Sequence, residues 1–273
     1  SLDEWTWAEF AAYGRRLTRV AADGQLERLG IATLPDYLLS MVHQAGGYFF
    51  DHPGSPSKSG ALLPETIRAV EEWVSWFYPN QIAQWGGRLN ADRVAFDYTN
   101  VTPTFRDIPG DHTINYMTYG DFETHEEGLF AWDIIRTPMG PLHNANMDSS
   151  EALVISANTR YPDIAWSLLS RILTDPEVAR KAIANNARPV GYIPNLPLWD
   201  DVWPPNAPAG VFIFREIVTH PEYSNVPSFA RFDEHTSELH AGLRRAIVGQ
   251  ISVRAMLEEL ARFDQRLIDE LSR

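Results

Sequence analysis

The sequence predicts an α/β protein of one large or two modest domains, and three observations carry that expectation. The chain has 273 residues, enough to bury a substantial core. Apolar residues recur at helical spacing in several separate stretches, with short β-branched or alternating runs between them. Residues 149–177, SSEALVISANTRYPDIAWSLLSRILTDPE, hold both patterns in one unit. There Ala152 to Ile155 is predicted as a buried strand and Ser156 to Thr159 as a turn. Pro162 suits the first position of a helix whose Ala165, Leu168, Leu169, Ile172 and Leu173 share one face. Asp175-Pro176-Glu177 then caps and opens a second helix.

Composition narrows the function classes. The formal charge of −13 speaks against a nucleic-acid or anionic-membrane partner, because neutralising phosphate takes clustered Lys and Arg. No apolar run approaches the length that spans a membrane. Cysteine is absent, which excludes disulfides, thiolate metal sites and cysteine nucleophiles. The chain carries 9 Trp, 10 Tyr and 13 Phe, enough to line both a core and the flat apolar face of a neutral ligand such as a sugar.

Taken in order, Thr6 caps a first helix with Glu9 as its capping-box partner, and Trp7, Phe10, Gly14 and Leu17 lie on one face. Thr33 to Ala45 is a second helix stopped by Gly46-Gly47. Residues 51–62, rich in Gly, Ser and Pro, are an exposed loop, and Pro64 opens a helix with Ile67, Val70, Val74 and Phe77 inward. Residues 92–100 alternate as a short strand. A further helix falls around Val211 to Val218. Asp233 to Val248 is helical up to Gly249, and Ser252 caps a last amphipathic helix.

Signatures of common chemistry are missing. The sequence holds no G-x-S-x-G, H-E-x-x-H, G-x-x-x-x-G-K or G-x-G-x-x-G run. His235 and His240, five apart, diverge by about 140° on a helix and make poor co-ligands for a metal. His125-Glu126-Glu127 reads as a solvated charge cluster.

The order of these motifs resembles that of bacterial ABC-transporter extracellular solute-binding proteins of the sugar-binding, maltose-binding-protein-like family. The resemblance rests on Trp5-Thr6-Trp7 with Glu9-Phe10 and on Gly46-Gly47. It rests equally on Ile155-Ser156-Ala157, Tyr161-Pro162-Asp163, Ala165-Trp166, Thr174-Asp175-Pro176-Glu177 and Gly249-Gln250 with Ser252-Val253. Asp92 departs from it, standing where the family usually has Gly before a strand. The resemblance implies a periplasmic-binding-protein-like type II fold of two lobes, each a three-layer α/β sandwich, without the N-terminal part of lobe one. Residues 1–148 would form the main part of lobe two, 149–204 a crossover strand and helices of lobe one, and 205–273 helices returning to lobe two.

It also implies a periplasmic or surface-anchored component of an ABC importer. Such a protein binds a sugar or other small polar solute by hinge closure and delivers it to permease subunits, with no catalysis, cofactor or metal. The implied ligand-binding residues are Asp36, Tyr37, Gly46, Gly47, Thr99, Asn100, Asp148 and Ser149, with Phe232, Glu234 and His235 from the loop and helix near residue 232. Tyr98-Thr99-Asn100 competes with Tyr119-Gly120-Asp121-Phe122 for one cleft position and is preferred. A glycoside-acting enzyme or a structural module without a ligand are the alternatives, since paired carboxylates are too plentiful here to single out or exclude.

Overall fold

The architecture is built on one eight-residue strand. In a computed structural model, which describes residues 5–24, 26–33, 36–85, 94–98, 137–142, 147–148, 153–186, 190–203, 209–212, 224–225 and 229–272, β2 (Leu26–Thr33) pairs on both sides. Its first half pairs antiparallel with β1 (Arg19–Val20), and Ile31–Thr33 pair parallel with β3 (Ala83–Trp85). β4 (Val94–Tyr98) runs parallel along the opposite side, Ile31 facing Phe96. The described residues fall into two compact units: those up to 98 with 137–148 and 224–272, and those from 153 to 212.

In the first unit, α1 (Trp7–Leu17) starts at Thr6, whose hydroxyl accepts from the Glu9 amide while the Glu9 carboxylate accepts from the Thr6 amide at 2.7 Å. This reciprocal cap satisfies two amide donors at the helix start. Trp7, Phe10, Ala11 and Gly14 are buried. α1 seats on β2 through glycine. A methyl group on Gly30 would stand 2.0 Å from the carbonyl oxygen of Gly14, so helix and strand touch backbone to backbone. Thr18 joins them: its hydroxyl donates to that carbonyl at 2.8 Å and accepts from the Gly30 amide at 3.0 Å.

After β2 come α2 (Asp36–Gln44) and α3 (Pro64–Ser75), packed against each other before the chain returns as β3. Leu38, Met41, Trp73 and Trp76 are fully buried there. α7 (Phe232–Ala246) and α8 (Val253–Leu271) pair, and α8 also packs on α3, burying Leu243, Met256, Leu257 and Leu260. Ser252 caps α8, its hydroxyl accepting from the Ala255 amide. A short parallel pair, β5 (Met147–Asp148) with β6 (Ser224–Asn225), completes the unit.

The regular structure described in the second unit is helical. α4 (Pro162–Thr174) leads into α5 (Pro176–Asn186), whose amides Glu177 and Val178 donate to the Asp175 carboxylate. α5 packs on α6 (Leu198–Val202), with Ile183 and Trp199 buried and Trp199 edge-on to Trp203. The expected buried strand before α4 is corrected here. Residues 153–156 belong to no ladder, and Val154 is 86% exposed. An apolar run becomes a strand only beside another strand that takes up its backbone groups, and no described strand lies there. α4 has its predicted amphipathic stripe but no buried residue, with Ile164, Trp166 and Leu168 all exposed. Of the helix expected at 211–218, residues 211 and 212 end a 3-10 turn (Ala209–Phe212), and the rest lies outside the described residues.

The Gly14 contact gives a direct test. Gly30→Ala is expected to lower stability by about 1–3 kcal/mol or more, since the added methyl meets rigid backbone. Gly54→Ala, where a methyl meets nothing within 4 Å, should change it by less than about 0.5 kcal/mol. Urea midpoints of the two variants decide; equal midpoints would refute the seating of α1 on β2.

Candidate functional site

The site expected from sequence is distributed over α2 with its following loop, β5, and the first turn of α7, all in the first unit. α2 and β5 are neighbours, which brings the segments of Asp36, Tyr37 and Asp148 together. Tyr37 is only 3% exposed and lies within the core. Asp148 pairs in register with Asn225. Thr99, Asn100 and Ser149 lie outside the described residues.

Gly46 and Gly47 stop α2. Gly46 adopts φ 85°, and the Gly46 and Gly47 amides donate to His43 and Val42 carbonyls at 2.8 and 2.9 Å, the double closure of a helix C-terminus. Gly47 is also pressed against Thr66 of α3, where a side chain would meet the Thr66 hydroxyl and amide. That hydroxyl in turn donates to the Tyr48 carbonyl at 3.1 Å. Gln44, fully buried at the end of α2, accepts from the Trp7 indole at 2.8 Å, tying α2 to α1. Its carbonyl accepts from the Leu142 amide, which holds the proline-glycine segment 138–141 beside the glycine pair.

Beyond the glycines the chain reaches an aromatic cluster. Phe50 meets Phe229 edge-on at 4.8 Å, and Phe229 meets Phe232 at 5.5 Å. The His235 imidazole sits among them, edge-on to Phe50 at 4.7 Å, tilted to Phe49 at 5.2 Å and stacked on Phe232 at 5.6 Å. His235 is fully buried and its Nδ1 lies 2.7 Å from the equally buried Asp264 carboxylate. The other oxygen of Asp264 accepts from the Ser59 hydroxyl at 3.0 Å. Phe232 and Phe229 are half-buried.

Outside this cluster Arg231 anchors the loop. It holds φ 69°, in the left-handed region, at the entry to α7. Its guanidinium donates to both oxygens of Glu234, at 2.6 and 2.9 Å, and to Glu270 near the end of α8 at 2.6 Å. The hydrogen bond from Arg231 holds the exposed Glu234 carboxyl below its ordinary range. Phe232, Glu234 and His235 therefore play different parts: a half-exposed ring, an exposed ion pair and a buried pivot.

Ser59, Asp264 and Arg231 were not found from sequence. Asp264 left a trace, a carboxylate set between Leu260 and Leu267 on the apolar stripe of the last helix. Among the described residues no group of three His, Cys, Asp or Glu side chains could hold a metal ion, and no helix is long and apolar enough to cross a membrane.

No family model and no curated protein matches the sequence. Solved structures do match in fold. An ABC substrate-binding protein from Listeria monocytogenes, in complex with cycloalternan, superposes with a TM-score of 0.70 at 15% identity, covering 98% of this chain and 64% of its own. An ABC transporter solute-binding protein from Thermotoga lettingae bound with α-D-tagatose gives 0.67 at 13% identity, covering 97% and 65%. The maltose/maltodextrin-binding domain MalE from Bdellovibrio bacteriovorus bound to maltotriose gives 0.61 at 13%, covering 99% and 67%. The fold is thus that of ABC solute-binding proteins, the periplasmic-binding-protein-like architecture, and the chain spans about two thirds of the length of these structures.

Two outcomes follow from this geometry. Tyr37→Ala should lower stability by about 3 kcal/mol or more, the scale of emptying a buried aromatic position, measured by thermal or urea unfolding; an unchanged midpoint would take Tyr37 out of the core. Asp51 offers a pH test. Partial burial pushes its carboxyl up, but hydrogen bonds from the Ser57 side chain and from the Ser57 and Lys58 amides outweigh that and lower it from 3.8 to about 2. Because the folded value is depressed, its stabilisation is present above the unfolded value and disappears as pH falls toward 2. Asp51→Asn should therefore flatten the acid side of the stability curve between about pH 4 and pH 2. An unaltered slope would show that the carboxylate contributes nothing there.

Proposed function

We propose that this protein is the extracytoplasmic solute-binding component of an ABC importer that captures a sugar or oligosaccharide by lobe closure and passes it to permease subunits. The observation that carries this reading is the fold likeness to solute-binding proteins seen with cycloalternan, α-D-tagatose and maltotriose. The half-exposed Phe229 and Phe232 support it, because a flat aromatic face is what a pyranose ring stacks on. The acidic charge supports a neutral ligand over an anionic one.

In this reading Asp36, Tyr37, Gly46, Gly47, Thr99, Asn100, Asp148, Ser149, Phe232, Glu234 and His235 belong to the ligand-binding region, and the protein is a binder without turnover. Gly46 and Gly47 serve it by shaping the loop, and His235 serves it from inside the core. Residues 1–148 and 205–273 form lobe two, and 149–204 belong to lobe one. The exposed apolar face of α4 supports that assignment, since an amphipathic stripe of this kind is suited to cover another element.

The test is a glycan array with the protein as its gene encodes it, followed by calorimetric titration of the best ligands. Saturable binding with no change in the glycan is expected. Hydrolysis of a bound glycan, or no binding across mono- and oligosaccharides, would overturn the reading. Phe232→Ala should weaken the best ligand by about 1–3 kcal/mol, the scale of a lost stacking contact.

A further inference from the structure

The Ser59–Asp264–His235 chain runs from a half-buried hydroxyl to a fully buried imidazole. Asp264 and His235 are fully buried and Ser59 is half-buried, and a buried carboxylate persists only where its hydrogen bonds are satisfied. Both oxygens of Asp264 are engaged, one by Ser59 Oγ and one by His235 Nδ1. A carboxylate only accepts, so Nδ1 carries the hydrogen and the imidazole is tied at one edge. Nε2 is buried and finds no partner among the described residues, so the thread ends at the ring.

What the ring does next is geometric. Phe232 lies over it with an interplanar angle of 20°, and Phe50 presses on it edge-on and on Phe229 in turn. A ring stacked on a fixed plane has its own plane fixed. We infer that Ser59, Asp264 and His235 are positioning residues that set the plane of the half-exposed Phe232 and, through Phe50, of Phe229, forming a rigid aromatic platform for a sugar face. This rests on the sugar-binding reading above. The three residues join the loop after β-bridge residue Phe50, α7 and α8, so the platform is referenced to three separate elements rather than to its own loop.

The alternative is that the thread is only packing. The double variant His235→Phe with Asp264→Leu separates the two, because it keeps ring and volume while removing both buried polar partners, a replacement that proteins commonly tolerate. Phenylalanine-labelled aromatic NMR reads whether the two edges of the Phe232 ring exchange slowly, and calorimetry with maltotriose reads the platform. Slow exchange is expected in the unaltered protein. In the folded double variant, exchange should become fast and maltotriose affinity should fall about tenfold, whereas the single variant Asp264→Asn, which keeps His235 and still accepts from its Nδ1, should retain slow exchange. Ser59→Ala should move both readouts the same way by a smaller factor, and it decides the matter if the double variant does not fold. Unchanged ring exchange in the folded variants would overturn the positioning role. Absence of maltotriose and other glycan binding by the unaltered protein overturns the sugar reading instead, and the ring exchange still decides whether the thread fixes Phe232.

Discussion

The backbone contact between Gly14 and Gly30 is the constraint on which the first unit depends. A helix normally rides on a sheet with a layer of side chains between them; here the carbonyl of Gly14 faces Gly30 with no side chain intervening, and Thr18 bridges the two. Glycine in a strand weakens it unless such an approach repays the loss. The approach fixes the height of α1 above β2, and with it the position of the Trp7 indole. That indole donates to Gln44, so the end of α2 is referenced to α1. Since Gln44 also holds Leu142 and precedes the Gly46-Gly47 stop, the loop geometry near the proposed ligand region is set from the strand outward.

The second organising feature is polar. Where α7, α8 and the segment ending at Ser59 meet, the structure buries a carboxylate and an imidazole amid phenylalanine rings. An apolar trio would be as stable or more so, because desolvating a charge opposes the gain from pairing it. What directional hydrogen bonds add is a single orientation, which close-packed rings alone do not enforce. Arg231 acts on the same loop from outside, keeping a non-glycine residue at positive φ by binding two glutamates on two helices. An inner and an outer tether on one short aromatic loop indicate that its conformation matters more than the stability it contributes.

The helices of this protein are legible in its sequence because their signals are local. Thr6 with Glu9, Pro64, Pro162, Asp175-Pro176 and Ser252 each mark a start by satisfying or tolerating orphan amides, and Gly46-Gly47 marks a stop. The central strand is not legible. Leu26 to Thr33 reads LERLGIAT, in which Glu27, Arg28 and Gly30 interrupt any alternation, and its strand character comes from the three partners it pairs with. The relay around His235 was hidden for the same reason. Ser59 and Asp264 lie 205 positions apart and His235 and Asp264 lie 29 apart, and only Asp264 left a local trace.

The segment 153–174 shows where periodicity stops being informative. The sequence specifies which residues of α4 share a face, since Leu168 and Ile172 are four apart and Leu169 and Leu173 likewise. It does not specify what the face meets. Ile183 on α5 is buried because α6 lies against it, whereas Leu168 on α4, with a stronger apolar stripe, is exposed. Burial belongs to the pair of surfaces and amphipathicity to one of them. The same distinction explains Val154: Val154 and Ile155 are β-branched and favour an extended chain, but the amide and carbonyl of Val154 need a neighbouring strand before that extension becomes a sheet.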